Sequence, residues 1–206
     1  MGFFKQIDDD QAQVALWRIT ETEEELKALT GLDLSEKYAY PRRRLEVMVV
    51  RVLLNHLNHF EQISYHSNGR PYFSNNNPHI SISHTAKMVA VAFSYKYNVG
   101  VDVERVNRDF GEVAYKYLSE EEFKWVDLTD QKLLALIWCI KESVYKLPWD
   151  KPKIFSTEIN VPKISNVGDE GVVSVEVIDL GRKIYLDLKY LFFDEFCLSW
   201  VLNNHK

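Results

Sequence analysis

Three carboxylates and a lysine carry the first chemistry this chain offers. Asp102 and Glu104 alternate with valines in Val99-Gly100-Val101-Asp102-Val103-Glu104. Glu142 and Lys146 stand four apart in the helix-like run Trp138-Cys139-Ile140-Lys141-Glu142-Ser143-Val144-Tyr145-Lys146. Side chains of a strand alternate faces, so the three valines point one way and Asp102 and Glu104 the other. The two carboxylates then sit roughly 7 Å apart along the strand, about the spacing at which one cation is shared. A hard divalent ion that keeps some waters while gripping a phosphate, Mg²⁺ or alternatively Mn²⁺, wants oxygen ligands of this kind. Asp102, Glu104 and Glu142 are the candidate metal ligands, and the chemistry they indicate is that of phosphate.

Each feature also has a plainer reading. Asp102 and Glu104 read equally as the solvent face of an edge strand. The i, i+4 spacing of Glu142 and Lys146 more commonly means a surface ion pair, and Lys141 reads as a solvated neighbour. His84, between two apolar runs, taken alone is better read as a hydrogen-bonded structural histidine, and Trp138 as core.

The elements that must position these groups are legible from periodicity. Val14–Ile19 reads as a strand, and Thr22 with Glu25 as a capping box opening a helix that stops near Gly31. Leu45, Met48, Val49, Val52, Leu53 and Leu57 recur at helical spacing behind Pro41. Ser67–Pro71 is a turn; Ile80–Ser83 and Met88–Phe93 are strands separated by His84-Thr85. A second capping box, Ser119 with Glu122, precedes a helix over Leu133–Leu147 that Pro148 ends. Alternating apolar residues around Val173–Val177, Ile184–Leu188 and Phe196–Trp200 predict antiparallel strands with one buried face. The fold class is α+β: antiparallel sheets with packed helices in two tightly packed subdomains, 1–98 and 99–206, with the acidic strand at their junction.

Composition excludes several functions. The chain has 206 residues and a formal charge of −5, so it is no general polyanion binder, and Arg42-Arg43-Arg44 is its one obvious basic patch. Its two cysteines, Cys139 and Cys197, lie in apolar stretches without metal-ligand spacing and read as buried thiols. Met1–Lys5 and the following Asp8-Asp9-Asp10 do not read as a signal peptide, and Leu133–Ile140 is too short to span a bilayer, so a cytoplasmic protein is expected.

In order along the chain, Gly69-Arg70-Pro71, Ile80-Ser81-Ile82-Ser83-His84-Thr85, Gly100–Glu104 and Trp138–Lys146 resemble the motifs of the 4′-phosphopantetheinyl transferases of the Sfp (surfactin) type. The resemblance runs from Arg42 to Lys146, and includes Arg51 and Tyr117–Glu122. Arg70 stands where lysine is usual, Ser143 and Thr85 where alanine and serine are common, and Ser81 where asparagine is frequent. It implies two similar subdomains related by a pseudo-twofold, with coenzyme A between them and the first subdomain on its nucleotide side. It further implies Mg²⁺-dependent transfer of the phosphopantetheine arm to a serine of an apo acyl or peptidyl carrier protein by a monomeric enzyme. By the same resemblance, Asp102, Glu104 and Glu142 hold the metal, and Glu142, or a metal-bound water beside it, takes the serine proton. Lys146, Ser83 and His84 donate to the pyrophosphate, while Arg42, Gly69, Arg70, Pro71 and Lys141 complete the coenzyme A site. An acidic carrier calls for a basic or apolar patch, for which Arg105–Tyr117 is the nearest segment. The rival readings are a Mg²⁺-dependent phosphohydrolase and a non-catalytic binder of coenzyme A or carrier.

Overall fold

The computed structural model describes residues 2–9, 11–74 and 77–203; Met1 and Asp10, used in the N-terminal reading above, lie outside them. An antiparallel sheet is built in the first half from β1 (Phe3–Asp9), β2 (Ala12–Arg18), β5 (His79–Thr85) and β6 (Met88–Ser94), in the order β1-β2-β6-β5. A second sheet comes wholly from the second half: β7 (Asn98–Arg105), β8 (Ile159–Asn160), β9 (Glu170–Asp179), β10 (Arg182–Phe193) and β11 (Phe196–Asn203), in the order β7-β11-β10-β9-β8. The hairpin β3 (Ile63–Tyr65) and β4 (Pro71–Phe73) carries the Gly69 turn at its tip. Helices α1 (Glu23–Thr30) and α2 (Pro41–His56) accompany the first sheet. With the second go α3 (Ala114–Tyr117), α4 (Glu120–Phe123), α5 (Gln131–Tyr145) and α6 (Phe155–Glu158).

Alternation along the strands sorts the apolar side chains into four layers. Ala15, Trp17, Val89, Val91 and Phe93 face α2, while their neighbours Val14, Leu16, Met88, Ala90 and Ala92 face the other sheet. There they meet Val99, Val101, Val103, Leu198 and Trp200. The opposite face of the second sheet, with Val175, Leu188 and Val201, is covered by Leu136, Ile140 and Val144 of α5. The order is therefore helices, sheet, sheet, helices, an α+β architecture with antiparallel sheets.

Local chemistry sets the boundaries. Both capping boxes form: Thr22 with Glu25, and Ser119 with Glu122. Gly31 closes α1 in the left-handed region at φ 68°, where glycine has no Cβ to clash. Helix α5 starts two residues before Leu133 because the Asp130 carboxylate accepts from the Leu133 N–H, and it ends at Tyr145, ahead of Pro148. One expectation fails: His84-Thr85 does not separate two strands. Strand β5 runs through both residues, and the reversal falls at Ala86-Lys87, where Lys87 takes φ 65°.

The two sheets meet along β5 and β7 without a backbone ladder between them. Instead, Ser81 Oγ accepts from Val101 N at 3.1 Å and Ser83 Oγ accepts from Val103 N at 3.3 Å. The common offset means that the two strands run in the same direction. On the outer face of β7, Gly100 lets α5 come down to the strand, because a Cβ there would collide with the Ser143 carbonyl oxygen. Ser143 meanwhile bonds Ser199 of β11 through its hydroxyl at 2.6 Å. Gly100→Ala is therefore expected to lower stability by about 1–3 kcal/mol, the usual cost of overpacking. Urea denaturation of the two proteins checks it.

Candidate active site

Asp102 and Glu104 share with Gly100 the face of β7 that α5 covers, so the solvent-edge reading is wrong for this pair: Asp102 is only 3% exposed. Asp102 Oδ1 accepts from the Ser83 hydroxyl at 2.6 Å and from the Lys146 ammonium at 2.7 Å. Lys146 also donates to the Val101 carbonyl at 2.9 Å, which leaves one of its three donors. Glu104 accepts from Thr85 Oγ1 at 2.9 Å and from Arg108 at 2.6 Å. Ser81, Ser83 and Thr85 thus line one face of β5, and each is aimed at β7.

Glu142 lies one helical turn before Lys146. Among the described residues none donates a hydrogen bond to its carboxylate. Burial, reinforced by the charge of Asp102, pushes its pKa up to about 7, with Lys146 pulling the other way. Burial and Asp102 also raise Glu104, against Arg108 and Thr85. Asp102 Oδ2 is buried and without a hydrogen-bond partner.

These residues were tested as a holder of a divalent cation. Among the described residues no three His, Cys, Asp or Glu side chains converge as a ready-made cage. The donors themselves fit a hard cation: all are carboxylate oxygens, one is orphaned in the interior, and a second carboxylate has its pKa raised to about 7 by burial and the charge of Asp102. Mg²⁺ keeps several waters and takes few protein oxygens, so a closed cage is not required. Within the cluster Lys146 occupies one oxygen of Asp102 and Arg108 one oxygen of Glu104.

Two sequence expectations need correction. Ser83 and His84 do not act as a pair, because neighbours on a strand face opposite ways. Ser83, 5% exposed, gives its proton to Asp102, so it supports a carboxylate and is not a donor to ligand. His84 faces α2, where Arg43 Nη1 lies 2.7 Å from its Nε2 and Glu46 Oε1 lies 3.3 Å from its Nδ1. Since a guanidinium only donates, Nε2 is the acceptor and Nδ1 carries the proton. Burial lowers the His84 pKa further, with Arg43 and Lys146 in the same direction and Glu46 against, so the ring is neutral near pH 7.

Lys141 is the second correction. It is wholly buried and donates to Glu122 at 2.7 Å, to the Ile159 carbonyl at 2.7 Å and to the Phe155 carbonyl at 2.9 Å. Glu122 in turn accepts from the Ser119 and Val161 amides at 2.7 and 2.8 Å. Lys141 ties α4, α5 and α6 together and cannot reach a cofactor. Helical rotation of about 100° per residue turns it from the face that Glu142 and Lys146 share.

Gly69, Arg70 and Pro71 line cavities that Lys146 and His84 also border. One of about 420 Å³ lies between the halves, with Gly69, Arg70, Pro71 and Ser81 on one wall and Lys146 and Trp149 on the other. Among the described residues no carboxylate forms an ion pair with Arg70, and burial lowers its pKa. A smaller hollow of about 120 Å³ is lined by Gly69, Pro71, Tyr65, Arg43, Glu46 and His84. Arg42, 64% exposed, donates from Nε to Glu46 at 3.0 Å. The arginine triplet is not a free basic patch: Arg44 is taken by Glu23 at 2.8 Å, while Arg42 and Arg43 share the buried Glu46. Sequence reasoning missed Arg43, Glu46, Thr85 and Arg108. Strand alternation would have found Thr85, and i, i+3 and i, i+4 spacing would have tied Glu46 to the arginines.

Residues 98–155 match the family model of the 4′-phosphopantetheinyl transferase superfamily. The matched segment contains Asp102, Glu104, Glu142 and Lys146 and supports a transferase; the Gly69 turn and Ser83-His84 lie outside it. No curated protein matches the chain. No helix among the described residues is long and apolar enough to cross a membrane.

Two measurements check this electrostatic account. Lys141→Met should destabilise by about 3–5 kcal/mol by leaving the buried Glu122 charge unpaired, and adding Glu122→Gln should restore part of it, as read by urea denaturation. Glu142 titrates higher in the folded chain than the ordinary 4.5, so folding takes up a proton between that value and about 7. Its stabilising contribution is full below that window and is lost as pH rises through it. In EDTA, wild-type stability should fall from pH about 5 to about 8, whereas Glu142→Gln should remove most of the fall and leave the part due to Glu104. Denaturation midpoints across that range give the comparison.

Proposed function

We propose that this chain is a 4′-phosphopantetheinyl transferase of the Sfp type, moving the phosphopantetheine arm of coenzyme A onto a serine of an apo acyl or peptidyl carrier protein. The observation that carries the reading is the buried, unpartnered Asp102 Oδ2 beside Glu142 and Glu104, with Lys146, which bonds Asp102, on the wall of a cavity between the two halves. Together with the superfamily match over the same residues, it favours a metal-assisted reaction at a pyrophosphate. The two halves, each a sheet with its helices, would be the similar subdomains of such an enzyme.

Asp102, Glu104 and Glu142 would hold Mg²⁺, with Mn²⁺ as the alternative. When bound, the ion neutralises charge on the pyrophosphate as the phosphoryl group transfers. Lys146 offers its remaining donor to a phosphate oxygen from the cavity wall. Glu142, poised near neutrality, is suited to take the proton from the carrier serine hydroxyl. The serine oxygen then bonds to the phosphorus bearing the pantetheine arm, and the bond to the bridging oxygen breaks, releasing adenosine 3′,5′-bisphosphate. Arg42, Arg43, Arg70 and the Gly69–Pro71 turn would bind the nucleotide end, with His84 acting through Arg43. The carrier would dock near Arg108, Tyr115 and Lys116, where Tyr115 is 69% exposed.

Intact-mass analysis of apo carrier proteins incubated with the chain, coenzyme A and Mg²⁺ tests the reading. One phosphopantetheine should be added, and the gain should vanish with EDTA. Glu142→Gln should cut turnover by about 10²-fold or more, the range for losing a general base. Phosphate release from simple esters with no transfer to acyl, peptidyl or aryl carriers would establish a hydrolase instead.

A further inference from the structure

Arg108 is a cation at this site to which the transfer step itself gives no role. Its guanidinium donates to Glu104 Oε1 at 2.6 Å and lies over two aromatic faces, 5.1 Å from the Trp138 ring centre and 5.2 Å from that of Phe110. The arginine side chain is 47% exposed and the glutamate 13%, so a surface residue reaches inward to a carboxylate largely out of water. Lys146 reaches Asp102 in the same way from the helix side. Two single positive charges therefore stand against the carboxylates, as many as one divalent ion brings. The aromatic faces hold the guanidinium plane in place, so the contact is more than a passing surface pair.

We propose that Arg108 is a latch that competes with the divalent cation for Glu104. Closed, it occupies Oε1 and offsets the carboxylate charge; loading of the cation drives it off, because a guanidinium and a dication on one oxygen would repel strongly at such short range. Trp138 follows the change, since the cation over its ring leaves with the latch. This inference rests on the metal-site reading above and concerns only how that site is held before loading. If Arg108 instead held Glu104 in position for the cation, its removal would weaken binding; competition gives the opposite sign.

Titration calorimetry with Mn²⁺ and with Mg²⁺, in the absence of coenzyme A and carrier, separates these cases. Arg108→Gln should bind either ion about two- to fivefold more tightly than wild type, the range of one partly exposed ion pair. Arg108→Lys should lie between them. Wild type should show a change in tryptophan fluorescence on metal addition that Arg108→Gln and Trp138→Phe both lose. Equal or weaker binding by Arg108→Gln, with Asp102→Asn abolishing binding, would overturn the latch and leave the metal site standing. No metal binding by folded wild type would overturn both.

Discussion

The molecule is joined at one carboxylate oxygen. Asp102 Oδ1 accepts a hydrogen bond from Ser83 of the first sheet and another from Lys146 at the end of α5, while its own strand belongs to the second sheet. The Ser83 hydroxyl has a second bond, accepting from the Val103 amide, so donor and acceptor are both used. A buried carboxylate without such partners would lose its charge or the fold. The constraint runs both ways. The serines let two edge strands lie side by side where an unpaired edge would expose its amides, and the strands in turn bring a first-half hydroxyl to a second-half carboxylate.

Close approach is the other half of the arrangement. Lys146 and Glu142 stand over Asp102 only because α5 lies against β7, and it lies there only because residue 100 has no Cβ. The Lys141–Glu122 pair then fixes α5 against α4 and α6, and turns the helix so that Glu142 and Lys146 face the strand. A lysine that resembles a ligand in the sequence is thus a structural tie, and its neighbour at 142 is the side chain that faces the strand carboxylates. Pocket and carboxylates follow from this docking, since Lys146 belongs to both.

Much of this was legible in the sequence for a simple reason: the deciding signals are local. Pro41, Thr22 with Glu25 and Ser119 with Glu122 act within a few residues of themselves, and valine alternation set the faces of β7. The same alternation, applied to β5, separates Ser83 from His84; reading them as one motif hid this. Strand β1, with its mixed Phe3–Asp9 composition, gives no clean period and is held by pairing with β2, which is not a local signal. Arg43, Glu46 and His84 come from α2 and β5, and nothing in either segment names the other. Lys141 failed for a different reason: two of its three partners are the backbone carbonyls of Phe155 and Ile159, which a side-chain pattern does not reveal, and the third, Glu122, lies nineteen residues away.

Charge explains why the site is arranged in this way. Three carboxylates cannot share a mostly buried face fully ionised and unbalanced, and this chain answers differently at each one. Asp102 is balanced by Lys146 and a hydroxyl, Glu104 by Arg108 and a hydroxyl, and Glu142 by a pKa that burial and Asp102 raise to about 7. The answers differ in how easily they are undone. The Asp102 contacts lie in the interior and define the fold, so they must persist. The Arg108 contact reaches in from the surface, while the Glu142 carboxylate receives no hydrogen bond from the described residues. On the metal-site reading proposed above, Asp102 is the permanent anchor, and Glu104 and Glu142 carry the charges that a cation would balance.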